Sequence, residues 1–147
     1  MRSKLLHQVD GQRTFVIVLG TGDEAVACLK AFADRERIDA AQLTGIGAFS
    51  RAVLGYFDWE RKSYLQNSLG EQVEVASLTG DVALGPDGGR ALHVHSVLGR
   101  RDGSTVAGHL IEGRVRPTLE IVLTESPAHL RKRHDPGSGL ALIDPGV

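Results

Sequence analysis

His93, His95 and His109 are the side chains of this 147-residue chain whose types and spacing could do chemistry. In Leu92-His93-Val94-His95-Ser96 apolar and polar residues alternate. Side chains along a strand point to opposite faces in turn, so both imidazoles lie on one face and Leu92 and Val94 on the other. Arg100-Arg101-Asp102-Gly103 reads as a turn, and Thr105 to Ile111 as the antiparallel partner that returns His109 to the pair. Three neutral imidazoles each offer one lone pair at about 2.0 to 2.1 Å to a divalent transition metal, zinc first among them. A fourth position stays free for water, a carboxylate or a ligand. The other reading of the same residues is a hydrogen-bonded polar patch, and spacing alone leaves both open. His7, His129 and His134 stand apart and read as structural.

A bound metal would open two functional classes. The first is a metal-dependent hydrolase or lyase acting on a small molecule, since a zinc-like ion lowers the pKa of its water and polarises a carbonyl or phosphoryl oxygen. Glu74 and Glu112 are then the candidate catalytic proton carriers. The second is a binding module that recognises a small ligand, a regulator or DNA, with the metal serving structure or sensing. The second is favoured, because the sequence contains no nucleophile constellation and no phosphate-binding loop.

Length and composition narrow these classes. A chain of this size forms one domain and buries about 68 to 70% of the surface of its unfolded form. The single cysteine, Cys28, excludes an intrachain disulfide and a Cys-x-x-Cys zinc knuckle, which fits a reducing cytoplasm. No apolar run reaches the roughly 20 residues of a membrane-spanning helix, and the polar start MRSKLLHQVDGQR does not read as a signal peptide. Seventeen basic residues against eighteen acidic ones give a formal charge of -1, so net charge lends nothing to phosphate recognition. Arg131-Lys132-Arg133-His134 is the local exception and reads as a solvated tail.

The elements that must position the histidines follow from periodicity. Leu5 to Val9 and Thr14 to Leu19 form an opening hairpin around Asp10-Gly11. Thr21 and Glu24 have the spacing of a capping box, and a helix over about 22–37 puts Ala25, Cys28, Leu29, Phe32 and Ala33 on one stripe. Cys28 on that stripe is an inert, buried thiol. Gly45-Ile46-Gly47 lacks the third glycine and following helix of a dinucleotide site, so these glycines serve a bent strand or a close backbone approach. Arg51 to Asp58 and Ser63 to Gln66 form a second hairpin whose tip, Trp59 to Lys62, packs on a partner subunit. Val73 to Leu84 is a long strand in which Glu74 shares a face with Ala76 and Leu78. There Glu74 must find a partner: as a ligand, an anchor, an acid/base group or half of a structural ion pair. Arg116 to Thr124 reads as the last strand, with Pro117 at its start. Residues 126–147 form a tail that packs weakly or along a surface, on a domain spanning 1–125.

Taken together, Thr44-Gly45-Ile46-Gly47-Ala48-Phe49, Leu54-Gly55-Tyr56-Phe57-Asp58, Val73 to Gly80, Leu92-His93-Val94-His95, Gly108-His109-Leu110 and Glu120-Ile121 resemble the plant and prokaryote conserved (PPC) domain family. The resemblance spans roughly Lys4 to Glu125. It implies an α+β fold, a compact single domain with an antiparallel-rich sheet and one main packed helix, assembled as a homotrimer. It also implies a metal at the three histidines, as in prokaryotic stand-alone members. A DNA-binding label comes with the family, whose plant members carry a separate AT-hook. Gly113-Arg114-Val115-Arg116-Pro117 has Val115 where the AT-hook glycine belongs, and it reads as strand. One departure is Ala107, where a second glycine commonly precedes Gly-His.

Overall fold

In the computed structural model, which describes residues 1–126 and 130–146, nine strands and one helix follow the chain. They are β1 (Arg2–Val9), β2 (Gln12–Gly20), α1 (Ala25–Glu36), β3 (Ala40–Asp58), β4 (Ser63–Leu69), β5 (Val73–Leu84), β6 (Arg90–Gly99), β7 (Thr105–Glu125), β8 (Lys132–His134) and β9 (Ala141–Ile143). Seven strands form one sheet in the order β1-β2-β7-β6-β5-β3-β4, and β8 and β9 form a separate pair. Every ladder between named strands is antiparallel, as the α+β reading expects. A further pairing of β3 with β7 closes β3, β5, β6 and β7 on themselves. Among the described residues, no helix is long and apolar enough to cross a membrane.

The opening hairpin turns on Asp10 (φ 47°) and Gly11 (φ 80°), the left-handed pair that a two-residue turn between twisted strands requires. β1 starts earlier than its apolar residues suggest and is exposed throughout. In β2, Phe15, Ile17 and Leu19 are buried at alternate positions. α1 lays Ala25, Leu29, Phe32 and Ala33 into the same continuous core, with Phe32 edge-on to Phe15 at 5.2 Å. Cys28 is half-buried at the border of that core, and burial pushes its thiol pKa up, consistent with an inert role.

The helix is shorter than expected, and its cap is a different residue. Glu24 itself is the N-cap: its carboxylate accepts from the Val26 and Ala27 amides at 3.1 and 2.7 Å. The same carboxylate accepts from the Gly113 amide at 3.0 Å, so the cap also ties α1 to β7. Thr21 instead donates to the Pro117 carbonyl at 3.3 Å. At the other end Arg37 takes the left-handed conformation (φ 56°), and its amide reaches back to the Ala33 and Asp34 carbonyls.

β7 corrects a second expectation, since Thr105 to Ile111 and Arg116 to Thr124 belong to one continuous strand with Pro117 in its interior. The β3 ladder pairs Gly47 with Leu119 and then Phe49 with Val115, so residues 116–118 bulge opposite Ala48. A proline without an N–H breaks no ladder bond in such a bulge. The Arg116–Pro117 peptide is cis. β5 matches its expected bounds, but a register shift between Val75 and Ser77 flips the alternation. Glu74 is therefore exposed while Leu78 is buried, and the shared face expected for them does not exist.

β3 approaches β7 closely at two glycines. A Cβ on Gly47 would stand 2.2 Å from the Thr118 carbonyl oxygen and 2.7 Å from Leu119 Cα, and one on Gly45 would stand 2.9 Å from the Glu120 carbonyl oxygen. The close-approach reading of Gly45 and Gly47 fits this packing.

Within the tail, the run read as solvated departs from expectation. β8 and β9 pair as a short hairpin, the Leu84 amide donates to the Leu130 carbonyl at 2.9 Å, and Lys132, within the run read as solvated, is only 5% exposed. His129 lies outside the described residues.

Two thermal-unfolding comparisons test this account. Gly47→Ala should cost about 1–3 kcal/mol through forced separation of β3 and β7. Gly20→Ala, with no atom within 4 Å of the added methyl, should stay within about 0.5 kcal/mol of wild type. Glu24→Ala should lower stability by about 1–2 kcal/mol, with Glu24→Gln between it and wild type. An unchanged melting temperature in Glu24→Ala would reject the cap.

Candidate metal centre

Turn geometry brings the three histidines together. The β6–β7 hairpin pairs Gly99 with Thr105, so counting back along both strands sets His95 directly opposite His109. His93 lies two residues further along β6, on the same face, opposite Asp81 of β5. Imidazole centroids are 5.0 Å apart for His93 and His95, 5.3 Å for His93 and His109, and 5.5 Å for His95 and His109. One ring nitrogen from each falls within 4.8 Å of the other two. His93 Nε2 and His95 Nε2 are 3.2 Å apart. Two nitrogens about 2.05 Å from a tetrahedral ion are separated by about 3.3 Å, so this pair already has the spacing of two zinc ligands. His109 Nδ1 is buried without a hydrogen-bond partner. On these observations the residues fit a divalent metal.

The electrostatics favour the same use. Burial, followed by the neighbouring His93, His95 and Lys132 charges, pushes the His109 pKa down to about 4. Burial and His93 lower that of His95. Both rings therefore present lone pairs at neutral pH, as metal coordination requires. Asp81 stands behind His93, with Oδ2 3.4 Å from His93 Nδ1 and Oδ1 2.7 Å from Lys132 Nζ. Burial raises the Asp81 pKa, but hydrogen bonding to His93 and Lys132 and the Lys132 charge outweigh it, leaving the carboxyl below its ordinary value.

The third imidazole is held by packing. Tyr64 stacks on His109 with centroids 5.0 Å apart and planes 28° apart. Its ring reaches there across Gly55, where a Cβ would stand 2.8 Å from Tyr64 Cδ1. Phe57 lies edge-on to Tyr64 at 5.4 Å, and Lys62 sits 3.1 Å over the Trp59 ring at the hairpin tip. Gly108 allows a matching approach, because a Cβ there would stand 2.7 Å from the Gly55 carbonyl oxygen. Ala107 is exposed, so its methyl group does not crowd that contact.

Neither candidate proton carrier joins the three histidines. Glu74 of β5 lies opposite Gly99 of β6 and lines an open groove with Glu71, Arg100 and Arg101, seven positions along the strand from Asp81. Glu112 is engaged by Arg51 at 3.0 Å and Arg114 at 3.9 Å. The carboxylate that does adjoin the cluster is Asp81, which sequence reasoning passed over. Its signal was present: the Gly85-to-Gly89 turn pairs Leu84 with Arg90, and the same count from that turn pairs Asp81 with His93. Lys132 and Tyr64 had no comparable signal, since each arrives through tertiary packing.

Comparison with known proteins identifies the family of the fold. Residues 6–127 match the model of the Plants and Prokaryotes Conserved (PCC) domain. A plant- and prokaryote-conserved (PPC) protein of Pyrococcus horikoshii superposes with a TM-score of 0.84 at 34% identity, covering 90% of this chain and 91% of that one. A metal-containing protein of Archaeoglobus fulgidus superposes with a TM-score of 0.80 at 34% identity, covering 88% and 91%. A candidate DNA-binding protein of Bacteroides thetaiotaomicron gives a TM-score of 0.83 at 28% identity, covering 94% of each chain. A search of curated protein sequences finds no match.

Proposed function

The chain belongs to the Plants and Prokaryotes Conserved domain family, and from that premise we propose that it is a homotrimeric, zinc-binding module for a small-molecule ligand. His93, His95 and His109 are the proposed ligands of the ion. The observation that carries this reading is the convergence of three imidazole nitrogens within 4.8 Å on adjacent strands. The metal-containing relative from Archaeoglobus fulgidus supports it. When bound, the metal supplies a Lewis-acid position for an oxygen donor.

Charge narrows the ligand class. The three imidazoles bring no negative charge to a dication, and Lys132 matches the charge of Asp81. The open position therefore favours an anionic oxygen, such as the carboxylate of a small organic acid. A sensing or regulatory role suits this better than hydrolysis, because Glu74 lies in an open groove away from the histidines and Glu112 is paired with Arg51. The formal charge of -1 gives DNA recognition no support from net charge, which leaves the small-molecule reading ahead of a DNA-binding one.

For the trimer, the support is an exposed apolar surface on the outer face of the sheet. Ile46 is 63% exposed and Val122 is 45% exposed, and together with Ala76 and Glu120 they line a shallow groove between β3, β5 and β7. We assign the contact between copies to this groove, since exposed apolar side chains gathered in one groove fit an association site.

Elemental analysis and mass in solution test the two halves separately. Purified protein should carry about one zinc or similar ion per chain, and His93→Ala, His95→Ala and His109→Ala combined should carry none while remaining folded. Absence of metal in wild type after incubation with zinc would sink the metal reading. Ile46→Asp with Val122→Asp should reduce a trimeric mass to that of one chain, and an unchanged mass would reject the assigned contact.

A further inference from the structure

The least expected charged group in the molecule is Lys132. It lies beyond the residues matched by the family model, on a three-residue strand, yet its side chain is only 5% exposed. A lysine rarely gives up solvent unless a partner compensates it. The partner is Asp81, 2.7 Å away on β5. The other oxygen of that carboxylate faces His93 Nδ1 at 3.4 Å. The remaining nitrogen of the same ring, Nε2, is the one directed at His95. Lys132, Asp81 and His93 thus form a line that begins in the carboxyl-terminal hairpin and ends at the proposed ligand set.

We propose that Asp81, held in place by Lys132, is a positioning residue that keeps the proton of neutral His93 on Nδ1 and leaves the Nε2 lone pair free for a metal. The inference rests on the metal reading above and assigns the hairpin of β8 and β9 a part in it. Three features of the fold support the assignment. Asp81 is fixed opposite His93 by the β5–β6 register, so the two cannot separate without breaking the ladder. Gly80, beside Asp81, has no room for a side chain, because a Cβ there would stand 2.1 Å from the His93 carbonyl oxygen. The two strands are therefore pressed together at this point. Lys132 is itself anchored by its neighbour Arg131, whose carbonyl accepts from the Asp144 amide at 2.9 Å and which bridges to Leu84. The tail is thereby docked beside Asp81. A carboxylate behind a ligating imidazole fixes its tautomer and raises metal affinity, and loss of such a partner typically costs 10–100-fold in affinity.

The test uses the full chain and two readouts. The first is the ring-nitrogen tautomer of His93 in metal-free protein, measured by long-range nitrogen–proton NMR above the titration range of imidazole. The second is zinc affinity by chelator competition. Wild type should hold His93 as the Nδ1–H tautomer. Replacing the pair together, Asp81→Leu with Lys132→Met, avoids leaving a buried charge unpaired. It should shift His93 towards Nε2–H and weaken zinc by about 10–100-fold. Lys132→Met alone gives a sharper sign. Removing a positive charge near a cation site would by Coulomb's law strengthen binding, so a several-fold loss, restored by Lys132→Arg, identifies positioning through Asp81. An unchanged tautomer with zinc affinity within twofold of wild type in the paired variant would overturn the proposal. So would tighter zinc binding in Lys132→Met. Failure of wild type to bind zinc would instead remove the metal reading, while the tautomer arm would still decide the role of Asp81. If the paired variant does not fold, Lys132→Met and Lys132→Arg carry the test.

Discussion

The close contact of β3 with β7 is the constraint from which the rest of the structure follows. Two strands of ordinary sequence could pair along this length, but they could not also curl tightly enough to let β5 and β6 close the sheet. At Gly45 and Gly47 the missing side chains let the backbone of β7 pass where a methyl group would collide with carbonyl oxygens. Further along the same ladder the roles reverse: Gly113 of β7 makes room for the ring of Phe49, and Gly108 approaches the Gly55 carbonyl. The ladder ends with Gly55 opposite His109. One continuous contact therefore sets both the curvature of the sheet and the depth at which the third imidazole sits.

That chain of cause explains why much of the site was legible and some of it was not. Alternation along Leu92 to Ser96 and the turn after Gly99 are local facts, and they suffice to bring His93, His95 and His109 to one face. The bounds of β5 were equally local, since Val73 to Leu84 is a long β-rich run between turn residues. Its bulge was not, because a single extra residue leaves no mark in composition, and that residue moved Glu74 from an expected inner face to solvent. Pro117 misled for a related reason. A proline argues for a strand start only while the ladder is assumed regular, and here a bulge absorbs it. Glu24 displaced Thr21 as helix cap because its carboxylate could also satisfy the Gly113 amide, a partner 89 residues away.

The charge pattern around the histidines has a logic that spacing could not reveal. Five groups that can carry charge, His93, His95, His109, Asp81 and Lys132, share a small region, and their signs are arranged so that no single one is left uncompensated in a poorly solvated place. Burial keeps His109 neutral, whereas Asp81 stays ionised because Lys132 and His93 both attend to it. Were Asp81 turned towards the imidazole nitrogens on the open side, it would neutralise half of a bound dication and weaken the pull on an incoming anion. Behind His93, with its charge matched by Lys132, it stands where it would orient the ring without entering the proposed ligand set. The arrangement separates two tasks that a carboxylate in direct contact would merge: orienting a ligand, and setting the net charge that an outside molecule meets. With the proposed metal bound, a site built in this way would remain electrophilic while its ligands are held in place. On the proposed reading this would suit capture of an anionic molecule, and it depends on a lysine contributed by the segment that looked least structured in the sequence.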